Sequence, residues 1–422
     1  MKNKNKNYFI KQISENEVLV YNSIKHIPMR MDKVGKKYFD IILKYDKKSD
    51  WLKNISLKEH ESFKDFYKTL KNVNFLSDTE DFKNLTYKLN KSNKLFYLHL
   101  TDKCNLKCIY CYNKGYRKNK KDLDYNKWKI IIDKVMPYSR SIILIGGEVI
   151  LHKSFGDLVQ YIKKNIKIKL TLISNGSLDY EKLKLNNAFR LIDVINLSCD
   201  NIKDNEHERM NFNRKIFFKN INFLKKIGLK QKIIISSVWT KKGTDKIKDV
   251  ECFCKKNGLK FNRTIRIPNN HSEIKMMPSV KSHYNYFENN NNLYKATTDN
   301  VDENVGRFEF ITCGAGYNTF SIDAIGNCYP CQSFHFPEFK LGNLLKNDFE
   351  YIYNSNISTM FRVTNNVNYK MKCKNCNLKY LCGGGCIADT YKLEGNLLEH
   401  PKTMCPYYKN GAIVMLKNEI VF

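Results

Sequence analysis

Fourteen cysteines are spread through 422 residues, and their spacing is the first feature with chemical content. Cys104, Cys108 and Cys111 form a C-x3-C-x2-C triplet on one short segment. Three thiolates so placed can hold three irons of a [4Fe–4S] cube and leave the fourth iron open. Structural zinc wants four closed ligands, and no fourth Cys or His follows nearby. His99, just before the triplet, reads as a packed side chain. A second group comprises Cys313, Cys328, Cys331, Cys373, Cys376, Cys382, Cys386 and Cys405. Its pattern is C-x12-G-x4-C, a gap, C-x2-C-x5-C-x3-C, a gap and a last C. Paired C-x2-C motifs also occur in zinc ribbons. Cys199, Cys252 and Cys254 fall outside both groups and read as ordinary thiols, which behave as small hydrophobes.

The triplet follows a strand-like run at 95–100, where a repeated strand-then-helix rhythm begins. Further strand-like runs lie at 141–145, 168–173, 191–197, 232–238 and 259–267. Helical patterns fall near 125–136, 154–164, 178–189, 214–227 and 244–257. Six strands with intervening helices predict a parallel α/β sheet, a partial (β/α)6 TIM-like barrel with functional residues at the strand C-terminal ends. Gly146-Gly147-Glu148 ends the second strand, where glycines let a ligand approach the backbone and the strand edge offers carbonyls to an ammonium group.

Residues 1–90 contain no Cys. Alternating runs at 8–13, 17–21 and 26–30, then helical patterns at 34–43 and 63–70, predict a small winged-helix-like α+β module. Four segments result: 1–90, a core at 91–275, a polar linker with some helix at 276–311, and 312–422. In the last, cysteine density rises and periodicity falls, as expected of a chain folded around metal.

The triplet with a downstream GGE, set in six β/α units, resembles the radical S-adenosylmethionine (radical SAM) superfamily. The resemblance implies that Cys104, Cys108 and Cys111 ligate a cluster whose open iron chelates the amine and carboxylate of SAM. It assigns Gly146, Gly147 and Glu148 to the SAM amine and Tyr110 to the adenine. Ser174 and Asn175, with Ser198 and Asp200, look like the family's ribose and methionine contacts, and Arg209 is a candidate for the SAM carboxylate. The C-terminal pattern is similar to the SPASM domain, which carries two auxiliary [4Fe–4S] clusters. That connectivity implies one set of Cys373, Cys376, Cys382 and Cys405 and another of Cys313, Cys331 and Cys386. The usual extra cysteine would stand near Arg307, Phe308 and Glu309. Either Cys328 fills in, or one iron is open to a substrate thiolate. Sulfatase-maturing relatives carry an Asp after the second SPASM cysteine; here Gln332 follows Cys331, which disfavours that reaction.

Composition bounds the remaining choices. A hydrophobic fraction of 42% excludes wholesale disorder. No apolar run approaches the ~18 residues of a membrane-spanning helix. The basic segment 1–7 has no apolar stretch after it, so no secretory signal is expected and the chain is assigned to the cytoplasm. The charge of +31 arises from Lys+Arg 73 against Asp+Glu 42. It is mostly lysine scattered among asparagine and isoleucine, a compositional bias more than the Arg-bearing face of a nucleic-acid binder.

Residues 8–72 resemble the leader-recognition domain of peptide-modifying enzymes, which pairs a leader strand with its sheet edge. Together the resemblances imply a maturase of a ribosomally made peptide. It would generate a 5′-deoxyadenosyl radical and install an intramolecular crosslink, expected to be a Cys thioether, fed by flavodoxin or ferredoxin. The alternatives are a C–C or C–O crosslink, epimerisation of a peptide residue, or a zinc-containing nucleic-acid-binding protein. The last has no use for the GGE motif.

Overall fold

Residues 7–25, 27–77, 89–115, 121–164, 167–203, 208–289 and 313–419 are described in the computed structural model. His26 and 290–312, with the position of the missing cysteine, lie outside them. In the N-terminal module, β1 (Tyr8–Gln12), β2 (Glu17–Asn22) and β3 (Ile27–Asp32) form an antiparallel sheet with β2 at its centre. Alternation along β2 buries both faces. Val18 and Val20 pack with residues of the helices Lys33–Lys44 and His60–Asn72. Leu19 and Tyr21 pack against Leu378, Leu381 and Leu416. The Asp32 carboxylate caps the first helix, accepting the Gly35 N–H at 2.7 Å. A further short helix, Lys48–Lys53, is pinned by buried Trp51, whose Nε1–H donates to the Tyr45 carbonyl at 2.7 Å.

The central sheet contains β4 (Lys94–His99), β5 (Ser139–Ile145), β6 (Lys169–Ser174), β7 (Val194–Ser198), β8 (Ile233–Trp239) and β9 (Lys260–Ile265). Each is parallel to the next, so strand order follows chain order. The sheet continues past β4 through β10 (Thr319–Ile322), parallel to it, and then β11 (Asn327–Tyr329) and β12 (Gly342–Asn343), both antiparallel. The C-terminal cysteine region is thus built on the barrel sheet. One strand face, including Phe96, Leu98, Ile142, Leu144, Leu170, Leu172, Ile195 and Ile235, packs against Trp128, Leu158, Phe217 and Val250 of the crossover helices. Burial of this surface, at roughly 25 cal/mol per Å² of apolar area, is the main force holding the barrel.

One expectation is corrected. The helix expected over 178–189 covers only Asn186–Leu191. Buried Asn220 takes over the preceding backbone. Its Nδ2 donates to the carbonyls of Gly176 and Leu178 at 2.8 and 2.6 Å, and its Oδ1 accepts the Tyr180 N–H at 3.0 Å. The described part of the linker carries helix and packs against the rest of the fold. Its helix Val280–Asn289 lies along the helix Cys405–Glu419. His283 sits between Trp239 and Tyr407, and the Arg263 guanidinium is sandwiched 3.6 Å from Trp239 and 3.7 Å from Tyr286.

Candidate active site and metal centres

The cysteine triplet lies on the loop leaving β4, and the GGE segment leaving β5 clamps that loop. The Gly147 and Glu148 N–H groups donate to the carbonyls of Thr101 and Lys103 at 2.8 and 2.7 Å. A Cβ on Gly146 would stand 2.5 Å from the Thr101 oxygen, and one on Gly147 2.2 Å from the Lys103 oxygen. These glycines therefore permit backbone-to-backbone packing of the cysteine loop. The antiparallel pairing of Lys107–Cys108 with Arg209–Met210 closes the loop from its other side.

Glu148 is buried beneath this contact. Its carboxylate accepts the Ser174 hydroxyl at 2.8 Å and the Asn175 N–H at 2.8 Å, joining the ends of β5 and β6. Burial drives its pKa up to about 7, against the pull of those donors. The Asn175 amide donates to Asn105 Oδ1 at 2.8 Å and lies 4.0 Å from the Cys104 sulfur. Ser174 also meets the Tyr180 hydroxyl at 2.8 Å.

Tyr110, Asp200 and Arg209 form a second buried unit. The Tyr110 hydroxyl and the Arg209 Nε–H both donate to Asp200 Oδ2, the latter at 2.9 Å, and the Val238 N–H donates to Oδ1 at 2.8 Å. Burial pushes the Cys108 thiol up to about 11, partly offset by the Arg209 charge. Ser198 ends β7, half-buried. Asn196 Oδ1 and Ser236 Oγ, in adjoining β7 and β8, have no hydrogen-bond partner, and neither do Nε and Nη1 of buried Arg266, whose guanidinium lies 6.0 Å from the Tyr110 ring. Unpartnered donors and acceptors of this kind fit a ligand that carries polar groups of both kinds, as SAM does.

The remaining cysteines separate into two sets. Cys373, Cys376, Cys382 and Cys405 line one cavity of about 220 Å³, and the charge of each of the other three bears on Cys373. Cys313, Cys331 and Cys386 influence one another in the same way. Asn365 donates to the Cys313 sulfur at 3.5 Å. Cys328 does not join them. It sits in β11 opposite Ile322, fully buried in the hydrophobic core, and the charge acting on it is that of Asp323. Cys331 lies beyond the end of that strand, and the groups bearing on Cys328 do not include it. Among the described residues no three His, Cys, Asp or Glu side chains converge tightly enough for a single metal ion. All-sulfur sets spread wider than one ion's shell fit four-iron clusters better than zinc.

A cleft of about 890 Å³ opens between the two regions, lined by Ile109, Cys111 and Tyr112 on one side and Phe336, Tyr391 and Lys392 on the other. His99 is packed, as expected, against His335 with ring centroids 4.7 Å apart. Sequence reasoning missed Asn105, Asn365 and buried Asp389 beside Cys386. Asp389, three residues after a cysteine at a helix start, was the one detectable from spacing.

Comparison with known proteins agrees with this arrangement. A sequence profile of the radical SAM superfamily matches residues 98–247, and one of the SPASM iron–sulfur cluster-binding domain matches 313–377. The antilisterial bacteriocin subtilosin biosynthesis protein AlbA of Bacillus subtilis is 24% identical over 327 residues, covering 74% of this chain and 71% of AlbA. A cysteine-type anaerobic sulfatase-maturating enzyme of Clostridium novyi is 23% identical, covering 70% of this chain and 88% of its own. Among solved structures, anSMEcpe with bound AdoMet and a peptide superimposes with a TM-score of 0.61 at 20% identity, over 77% of this chain and 98% of that one. Streptococcus suis SuiB bound to its precursor peptide SuiA superimposes with a TM-score of 0.56 at 17% identity, over 92% and 96%. At these identities the likeness is one of fold. No helix among the described residues is long and apolar enough to cross a membrane.

Proposed function

We propose that this chain, which carries a radical SAM domain joined to a SPASM domain, is a maturase of a ribosomally made peptide. The observation that carries the reading is the cleft between the Cys111 loop and the helix bearing Tyr391 and Lys392, a space of about 890 Å³ open to a peptide segment. SuiB with its precursor peptide, similar to this chain in fold, and the subtilosin protein AlbA, similar in sequence, support the substrate class.

In this reading Cys104, Cys108 and Cys111 hold the cluster that binds SAM, the set of Cys373, Cys376, Cys382 and Cys405 holds one auxiliary cluster, and the set of Cys313, Cys331 and Cys386 holds the other. When bound, the cluster and SAM supply the electron and the 5′-deoxyadenosyl radical that removes hydrogen from a peptide carbon. The chain's own part is to bind, orient and exclude water. Glu148 and Asn175 fix the cysteine loop, while Tyr110, Asp200 and Arg209 brace its far side. Phe336 and Tyr391 give the cleft an aromatic wall against the substrate. Residues 1–90 take the leader on an outer strand of their three-stranded sheet, by backbone hydrogen bonding. Flavodoxin or ferredoxin is the expected electron donor. The product is an intramolecular crosslink, assigned as a Cys thioether.

Anaerobically isolated chain should carry about twelve iron atoms and matching sulfide, as three four-iron clusters require. Supplied with reductant and SAM, it should release 5′-deoxyadenosine. Bound zinc without sulfide would remove the reading.

A further inference from the structure

The set formed by Cys313, Cys331 and Cys386 lacks a fourth sulfur, because Cys328 is turned into the core. We propose that the carboxylate of Asp389 is the fourth donor of this set. Asp389 lies on the helix Ile387–Glu394 that Cys386 opens, close to one turn beyond it, and is 1% exposed. Its Oδ2 accepts the Tyr408 hydroxyl, while Oδ1 meets no donor in good hydrogen-bond geometry; the other side chains bearing on the carboxylate are the Cys386 thiol, itself one of the set, and the Lys392 ammonium. The carboxylate acts electrostatically on both Cys386 and Cys331, which places it beside the set.

A buried carboxylate whose one oxygen has only a weak thiol donor beside it is unfavourable unless a cation or stronger donor meets that oxygen. Iron accepts carboxylate oxygen as well as sulfur, and an iron at the open corner would supply the missing partner. The Tyr408 hydroxyl then acts as the outer partner that orients the ligand. A corner held by oxygen is more readily exchanged for a peptide thiolate than one held by cysteine. Only this last consequence rests on the thioether reading; the ligand assignment stands without it.

The test uses the full-length chain isolated anaerobically with its clusters, read by iron and sulfide counts, EPR and Mössbauer spectroscopy, without peptide. Asp389→Ala should lose one iron per chain and show the EPR signal of an oxidised three-iron cluster. Asp389→Cys should keep about twelve irons, with an altered spectrum for one reduced auxiliary cluster. If Asp389→Ala loses the whole four-iron set, restoration by Asp389→Cys supports the assignment, and failure to restore it counts against. If Asp389→Ala does not fold, the near-isosteric Asp389→Asn is read in the same way. Iron content and spectra unchanged from wild type in the folded Ala or Asn variant overturn the proposal. These readouts do not depend on a peptide being modified, so a failure here is distinguishable from a failure of the maturase reading.

Discussion

Oε2 of Glu148 accepts the backbone N–H of Asn175 at 2.8 Å, tying the end of β5 to the end of β6. Through the Asn175 amide the tie extends to Asn105 between the first two cysteines of the triplet. Burial raises the Glu148 carboxyl to about 7, whereas an unfolded Glu titrates near ~4.3. The folded state binds the extra proton between these values. Its contribution is therefore present below ~4.3 and lost as pH rises through about 7. The loss is of order 3 kcal/mol. Anaerobic thermal unfolding should find the wild type more stable than Glu148→Gln at pH 5, by about 1–3 kcal/mol, since the amide has a single acceptor oxygen for the Ser174 and Asn175 donors. That difference should shrink by pH 7.5. A constant difference across the range would contradict this role.

Asp200 stands between Tyr110 and Arg209, and all three are buried. Asp200→Asn leaves the guanidinium without its counter-charge, and about 3–5 kcal/mol of stability should be lost. Breaking the exposed helical pair of Lys36 and Asp40 by Lys36→Ala should cost under about 0.5 kcal/mol. Denaturant titration of both variants checks the contrast.

Gly147→Ala places a methyl group 2.2 Å from the Lys103 carbonyl oxygen, a backbone atom with nowhere to move except with the cysteine loop. The expected outcome is a folded chain depleted of about four irons, with both auxiliary sets still loaded. Iron analysis alongside circular dichroism separates this from general unfolding.

Cys328→Ala should leave the iron content unchanged and cost about 1 kcal/mol in packing, because the thiol fills core space. Cys313→Ala, Cys331→Ala and Cys386→Ala should each reduce iron. Loss of a cluster in the Cys328 variant would restore it as a ligand.

Much of the fold was legible because the strands of the barrel are buried on one face and their alternation is strong. β4 to β9 each fall within two or three residues of the runs expected. The helix Lys48–Lys53 escaped notice because six residues with one buried Trp carry no periodicity. The region before Asn186 read as helix because nothing local revealed that Asn220, far along the chain, would bind its backbone. At the site, cysteine spacing separated the triplet from the rest, but spacing is blind to side-chain direction. It could not tell that Cys328 points into the core or that Arg209 is already paired with Asp200. The GGE glycines were legible as close-approach positions, yet what approaches them is the backbone of Thr101 and Lys103.

Whether this chain crosslinks a ribosomal peptide is decided by mass spectrometry of a Cys-bearing precursor peptide coexpressed with it. The expected product is lighter by about 2 Da for each bond formed, two hydrogens leaving per crosslink. Its Cys should resist alkylation, and the change should be absent in a Cys104→Ala variant that still folds. A precursor that binds through its leader yet emerges with unchanged mass and a fully alkylatable Cys, while 5′-deoxyadenosine accumulates, would contradict crosslinking by this chain.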